Sequence, residues 1–257
     1  MDFGIRGRKA LLSGASRGLG RACALALARE GVDVTIVARK REPLERTVGD
    51  VRALGAKATA VAADITTPEG RKAALEACPA PDILVNNADG RLPGDFRTWT
   101  REDWISALDT MMLCHIEMMR LVVDGMMTRG FGRIVNIVSR SVKIPQLELG
   151  LSNGARSGLV GFTAGLARQT VRHNVTINNL LPGTFDTDGQ REHVRGMADE
   201  KNSYEKIWNA RVAQNPAGRF GQADELGAYC AFLCSAHAGF ITAQNLVIDG
   251  GSYPGTY

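Results

Sequence analysis

No apolar run in these 257 residues approaches the roughly 20 that a helix needs to cross a bilayer, so no membrane-spanning helix is expected. A basic surface for nucleic acid is missing too. The net charge is only +4, and apart from Arg39-Lys40-Arg41 the cations are scattered, with no interleaved aromatics. Cysteine is sparse and odd in number: Cys23, Cys78, Cys114, Cys230 and Cys234 contain no C-x-x-C pair. Cys230 and Cys234, one helical turn apart, would make half a metal site, and no His or Cys cluster completes it. Buried reduced thiols and no metal are therefore expected. Residues Met1 to Arg6 lack the apolar segment of a signal peptide, which points to the cytoplasm. Repeats, linkers and low-complexity segments are also lacking, and residues 1–257 read as one domain.

What is present centres on Leu11-Leu12-Ser13-Gly14-Ala15-Ser16-Arg17-Gly18-Leu19-Gly20. The apolar residues from Ala10 to Leu12 read as a buried strand, and an Ala/Leu-rich helical pattern runs from Arg21 to Glu30. Between them stand three glycines spaced G-x-x-x-G-x-G. Glycines let the backbone turn sharply and approach an anion, and the helix N-terminus offers free N–H groups with partial positive charge. Such a turn serves phosphate binding when it follows the first strand of a βαβ unit.

That unit follows. Asp33–Ala38 reads as a second strand, 42–54 as a helix ended by Gly55, 57–62 as a third strand, and 68–77 as a short helix. Asp82–Asn86 reads as the fourth strand. Such alternation means a doubly wound parallel α/β sheet of the Rossmann type, about seven strands with helices on both faces, and ligands at the strand carboxyl ends. The residue closing the second strand meets the adenosine ribose, where a carboxylate would suit the NAD(H) 2′-hydroxyl. Here Ala38 and Arg39 stand there, with Arg17 in the glycine loop. Two guanidiniums and no carboxylate suit a 2′-phosphate, so NADP(H) is favoured over NAD(H). The bland alternative is a solvated basic turn.

Further on, Thr100 to Asp103 resembles a capping box that opens a long helix to about Thr128. Met111, Met112, Met118, Met119, Met126 and Met127 form one stripe on it, suited to a helix-on-helix core or a subunit interface. A strand, Arg133–Val138, ends at Ser139. A second long helix is expected from about Ser152 to Arg172, then a strand from Val175 to Leu180. Residues 184–219 show no strong period and read as an irregular substrate lid. A helix, Ala223–Cys234, and a last strand, Leu246–Ile248, close the chain.

Together these landmarks resemble the short-chain dehydrogenase/reductase family across essentially the whole sequence, nearest in flavour to the β-ketoacyl-carrier-protein reductases. Ser13 to Gly20 looks like the family's T-G-x-x-x-G-x-G loop. Asp64, followed by Ile65, stands where members bind the adenine ring. Asn86-Asn87-Ala88 looks like their N-N-A-G, with Asp89 inserted before Gly90. Pro182, Gly183 and Thr187 match the P-G-x-x-x-T segment beside the nicotinamide, and Asp249-Gly250-Gly251 matches the final turn. The resemblance implies a small-molecule substrate and a homo-oligomer, a dimer or tetramer, formed through the two long helices.

The resemblance breaks at the catalytic positions. The family's Ser is present as Ser139, but Ser152 replaces the Tyr, Arg156 the Lys, and Met111 the Asn. Ser152 keeps a hydroxyl far less acidic than a phenol, and Arg156 keeps a cation four residues along the helix. His115, Lys143, Asp186, Asp188 and His193 are candidate substitutes. Two readings stand: an NADP(H)-dependent oxidoreductase with a rewired proton donor, or an NADP-binding sensor or assembly protein without chemistry. A halohydrin-dehalogenase-like Ser and Arg set is set aside, because those enzymes lose the glycine loop that Gly14, Gly18 and Gly20 preserve here.

Overall fold

The computed structural model describes residues 1–256. Its first half alternates as the aliphatic runs and glycine breaks require: β1 (Lys9–Ser13), α1 (Gly18–Arg29), β2 (Asp33–Ala38), α2 (Arg41–Ala53), β3 (Ala58–Ala62), α3 (Pro68–Ala77) and β4 (Ile83–Asn86). Next come α4 (Arg101–Leu108), α5 (Cys114–Thr128), β5 (Gly132–Ile137), α6 (Gly150–Thr170) and β6 (Val175–Pro182). The chain then forms β7 (Phe185–Asp186), α7 (Asp188–Met197), α8 (Tyr204–Ala213), β8 (Gly221–Gln222), α9 (Ala223–Cys234) and β9 (Asn245–Ile248).

Seven strands pair in parallel in the order β3-β2-β1-β4-β5-β6-β9, the Rossmann-type arrangement. Residues of α1, α2 and α9 pack on one face, and residues of α3, α5 and α6 on the other. Strands covered on both faces are buried at successive positions rather than alternately, as in β4 and β5. Chain order reverses between β1 and β4, which opens a crevice beyond their carboxyl ends. All five cysteines are buried and free. Among the described residues no helix is long and apolar enough to cross a membrane, and no cluster of His, Cys, Asp or Glu is placed to hold a metal ion.

Two stretches differ from the sequence expectations. The single helix expected from Thr100 to about Thr128 is two, α4 and α5, joined by a π-helical turn at Asp109–Leu113. The capping box itself forms, with Asp103 N–H donating to Thr100 Oγ1 (3.2 Å) and Thr100 N–H to Asp103 Oδ2 (2.9 Å). Met111, Met118, Met119 and Met126 are buried in the core, and Met112 abuts Gly158 of α6, so the stripe packs helix on helix. Residues 184–219 are not irregular. They carry α7 and α8, each N-capped by a hydroxyl, Thr187 and Ser203. α7 has one buried position and α8 none, so neither helix rests on an extended buried face.

Polar side chains cross the sheet as well. Asn86, Asn136, Asn179 and Asn245 stand in register on β4, β5, β6 and β9. Asn86 Nδ2 donates to Asn136 Oδ1 (2.9 Å), Asn136 Nδ2 to Asn179 Oδ1 (2.9 Å), and Asn179 Nδ2 to Asn245 Oδ1 (2.8 Å). Asn179 Nδ2 also lies 3.0 Å from Thr163 Oγ1 of α6. Asn136→Leu leaves a buried donor on Asn86 and a buried acceptor on Asn179, each worth about 1–3 kcal/mol. We expect the variant to lose about 2–5 kcal/mol in urea denaturation with unchanged slope; an unchanged midpoint would show that the ladder contributes nothing.

Candidate active site

The glycine loop leaves β1 under tight steric control. Gly14 and Gly18 have φ of +58° and +56°, a region costly for side chains. A Cβ on Gly14 would lie 2.5 Å from Asn87 O, and one on Gly20 only 2.6 Å from Gly14 O. Asn87 binds the loop from below: Nδ2 donates to Gly14 O (2.8 Å), and its backbone N–H donates to Ser13 Oγ (3.1 Å). Ser13 Oγ returns a bond to Asn87 O (3.1 Å). The last residue of β1 and the residue following β4 thus meet directly under the loop.

Above them opens a cleft of about 1290 Å³. Of the residues expected to bind a cofactor, Gly14, Ser16, Arg17, Gly18, Arg39, Asp64, Ile65, Asn87 and Thr187 line it. Leu19, Gly20, Arg156, Pro182 and Gly183 are not among its lining. Leu19 packs toward the core, and Gly183, at the end of β6, sits against Asp249. Burial pushes the Asp64 carboxyl up, but hydrogen bonds from the Thr66 backbone and hydroxyl and the Arg39 charge outweigh it, leaving the group below its usual range.

The structure adds a partner that the sequence did not reveal: Asp89, from the loop after β4, pairs with Arg39 (Nη2–Oδ2, 2.9 Å). Reading along β2 alone could not reveal a partner contributed by another strand. Arg17 is likewise paired, with Glu192 of α7 (3.3 Å), so helix α7 reaches across to the glycine loop.

Beyond the cleft the structure brings Ser152 and Arg156 together. Both are buried on α6 and joined by Arg156 Nε–H donating to Ser152 Oγ (3.1 Å). Arg156 Nη1 donates to the carbonyls of Ile137 (3.1 Å) and Val138 at the end of β5. The guanidinium is therefore pinned to the backbone just before Ser139, which is half-buried and caps the next turn by accepting from Ser141 N–H (3.1 Å). Burial brings Arg156 down to about 10, still protonated at neutral pH. The Arg156 Nη2 atom lies nearest the loop at Gly90, 4.0 Å from where a Cβ there would stand.

The candidate substitutes are placed unequally. His115 is wholly buried, and its ring nitrogens make no hydrogen bond of full geometry. Burial first, then the Arg156 charge, pushes it down to about 3 against a weaker opposing pull from the Asn87 backbone, so the ring is neutral. Asp186 is committed to a two-pronged pair with Arg191 (2.6 and 2.9 Å). His193, on α7, lies below its usual value through burial and then Arg211. Lys143, four residues after Ser139, has its ammonium 5.6 Å from the centre of the Tyr253 ring. Tyr253 escaped the sequence analysis because it belongs to the C-terminal turn, where its N–H donates to Asp249 Oδ2 (2.8 Å).

The His115 burial has a pH consequence. Between the ordinary value of 6.5 and about 3, the unfolded chain binds a proton that the folded chain refuses. Stability is full above 6.5 and falls as pH drops through that window, by up to a few kcal/mol. His115→Leu should lose less stability than the parent between pH 7 and 4.5 in denaturant titrations. Equal losses would show that His115 is not held neutral by the fold.

Residues 14–253 match the family described as Enoyl-(Acyl carrier protein) reductase. The chain is 33% identical over 255 residues to the 3-oxoacyl-(acyl-carrier-protein) reductase FabG of Vibrio cholerae, covering 97% of this chain and 98% of that one. It is 32% identical over 253 residues to gluconate 5-dehydrogenase of Gluconobacter oxydans, covering 97% and 96%. Among solved structures, L-sorbose reductase of Gluconobacter frateurii, complexed with NADPH and L-sorbose, superposes with a TM-score of 0.94 at 27% identity and 98% of each chain. The sheet order, the glycine loop over Asn87 and these matches along nearly the full length agree: the chain belongs to the short-chain dehydrogenase/reductase family.

Proposed function

We propose that this protein is an NADP(H)-dependent oxidoreductase acting on a small carbonyl or hydroxyl compound, with a rewired proton donor. The observation that carries the reading is the cleft itself. Gly14 and Gly20 leave space no Cβ could share, the start of α1 presents N–H groups, and Arg17 and Arg39 line the adenosine side. The residues lining the cleft fit the dinucleotide: Gly14, Ser16 and Gly18 would cradle its phosphates, Asp64, Ile65 and Asn87 would line the adenosine, and Thr187 the nicotinamide. The relatives support the choice, since L-sorbose reductase is known with NADPH bound.

When bound, the cofactor supplies or accepts a hydride at the substrate carbon. In the reductive direction the carbonyl oxygen then develops negative charge, which the protein must stabilise and protonate. Ser139 and Ser152 are the hydroxyls assigned to that oxygen. Ser152 Oγ already accepts from Arg156 Nε, which polarises its O–H and leaves that proton available to donate. Arg156 lends positive charge without giving up its own proton. A hydroxyl so assisted remains a poorer acid than a phenol, and loss of a positioned acid costs about 10²–10⁴-fold in rate. Residues 184–219, now α7 and α8, are assigned as the substrate lid within a single domain, and a cytoplasmic homo-oligomer is proposed. The exposed Ile105, Leu113 and Phe162 on α4, the π turn and α6 support association through that side.

A second reading, a cofactor-binding sensor or assembly protein, draws on one observation: the Arg156 guanidinium is spent on Ser152 and two backbone carbonyls. Both readings require the nucleotide. Calorimetric titration of purified protein should show NADPH binding more tightly than NADH, and Arg39→Asp should narrow or reverse that order. Equal affinities in the parent would refute the 2′-phosphate assignment, and no binding of either would refute both readings.

A further inference from the structure

The cation placed for the 2′-phosphate already has an occupant. Arg39 follows β2 and Asp89 follows β4, so their ion pair passes over the end of β1, the strand lying between them. Both residues line the cleft, and both side chains are 64% exposed. Arg39 uses only Nη2 toward Asp89 Oδ2 (2.9 Å). A phosphate that reaches Arg39 must therefore come within several ångströms of the Asp89 carboxylate. Asp64, on the same side of the cleft, adds a second negative charge near the guanidinium.

We infer that Asp89 is a specificity-determining residue that competes with the 2′-phosphate for Arg39 and so reduces the protein's preference for NADP(H) over NAD(H). The inference rests on reading the cleft as the dinucleotide site. A dianionic phosphate replaces one carboxylate at the guanidinium, gains the stronger charge-assisted bonds, and meets repulsion from the displaced Asp89. A ligand with a free 2′-hydroxyl neither needs Arg39 nor meets that repulsion. Since the pair is exposed, solvent screens the effect to a modest size that shrinks with added salt.

The test uses two nucleotides that differ only in the phosphate at issue, adenosine 2′,5′-bisphosphate and adenosine 5′-monophosphate. Calorimetric titrations compare the parent with Asp89→Asn and Asp89→Gly at low and high salt. Both variants should bind the bisphosphate about threefold to tenfold more tightly than the parent, with monophosphate affinity held within about twofold and the gain smaller at high salt. Unchanged bisphosphate affinity would overturn the inference. Weaker bisphosphate binding would overturn it too, since Asp89 would then be holding Arg39 in place for the phosphate. A parent that does not prefer the bisphosphate would instead sink the underlying assignment of the cleft, and the inference with it.

Discussion

Asn87 holds the glycine loop from beneath, and the rest of the cleft is built outward from that contact. Its amide donates to Gly14 O while its backbone exchanges hydrogen bonds with Ser13, so β1 and β4 are tied at their carboxyl ends. The approach is so close that a Cβ at Gly14 or Gly20 would overlap the backbone. Three consequences follow from one constraint. The loop must curl upward, α1 must begin over the crevice, and the free N–H groups at its start must face the space where chain order reverses. The match of residues 14–253 to the family begins at the glycine that meets Asn87.

Outward from this centre the two ends of the site diverge. Toward β2 the cations proposed for the phosphate are already paired, Arg39 with Asp89 and Arg17 with Glu192 of α7. Exposed pairs of this kind hold weakly and exchange readily for a more highly charged partner. Toward β5 and α6 the opposite holds. Arg156 is buried, bonded to Ser152 and to two carbonyls at the end of β5, and is expensive to move because each abandoned carbonyl would be left unpaired. His115 is buried and held neutral there by desolvation and the Arg156 charge. The proposed site combines exposed, exchangeable ion pairs at one end with buried, fixed groups at the other.

The sheet, the glycine loop and the nearness of Ser152 to Arg156 were legible because each is written locally, in an apolar run, a glycine spacing or a count along one helix. What escaped is written between strands. Asn86, Asn136, Asn179 and Asn245 are ordinary residues until register aligns them across the sheet. The pairing of Asp89 with Arg39, and of Glu192 with Arg17, joins residues 50 and 175 positions apart, beyond any local pattern. Helices α7 and α8 were missed because they bury almost nothing, and their caps, Thr187 and Ser203, emerge only in the structure. The π turn at Met111 has no sequence marker in this chain.

The central claim is that the nucleotide site is complete while proton donation is the impoverished step. The most direct measurement restores the donor: NADPH oxidation followed by absorbance with a fixed panel of ketones, for the parent and for the Ser152→Tyr/Arg156→Lys double variant. The account requires the double variant to be faster by about 10²–10⁴-fold on at least one ketone, with NADPH affinity changed by no more than a few-fold. A double variant no faster than the parent would contradict it, and would place the chemistry of this fold in groups other than Ser152 and Arg156.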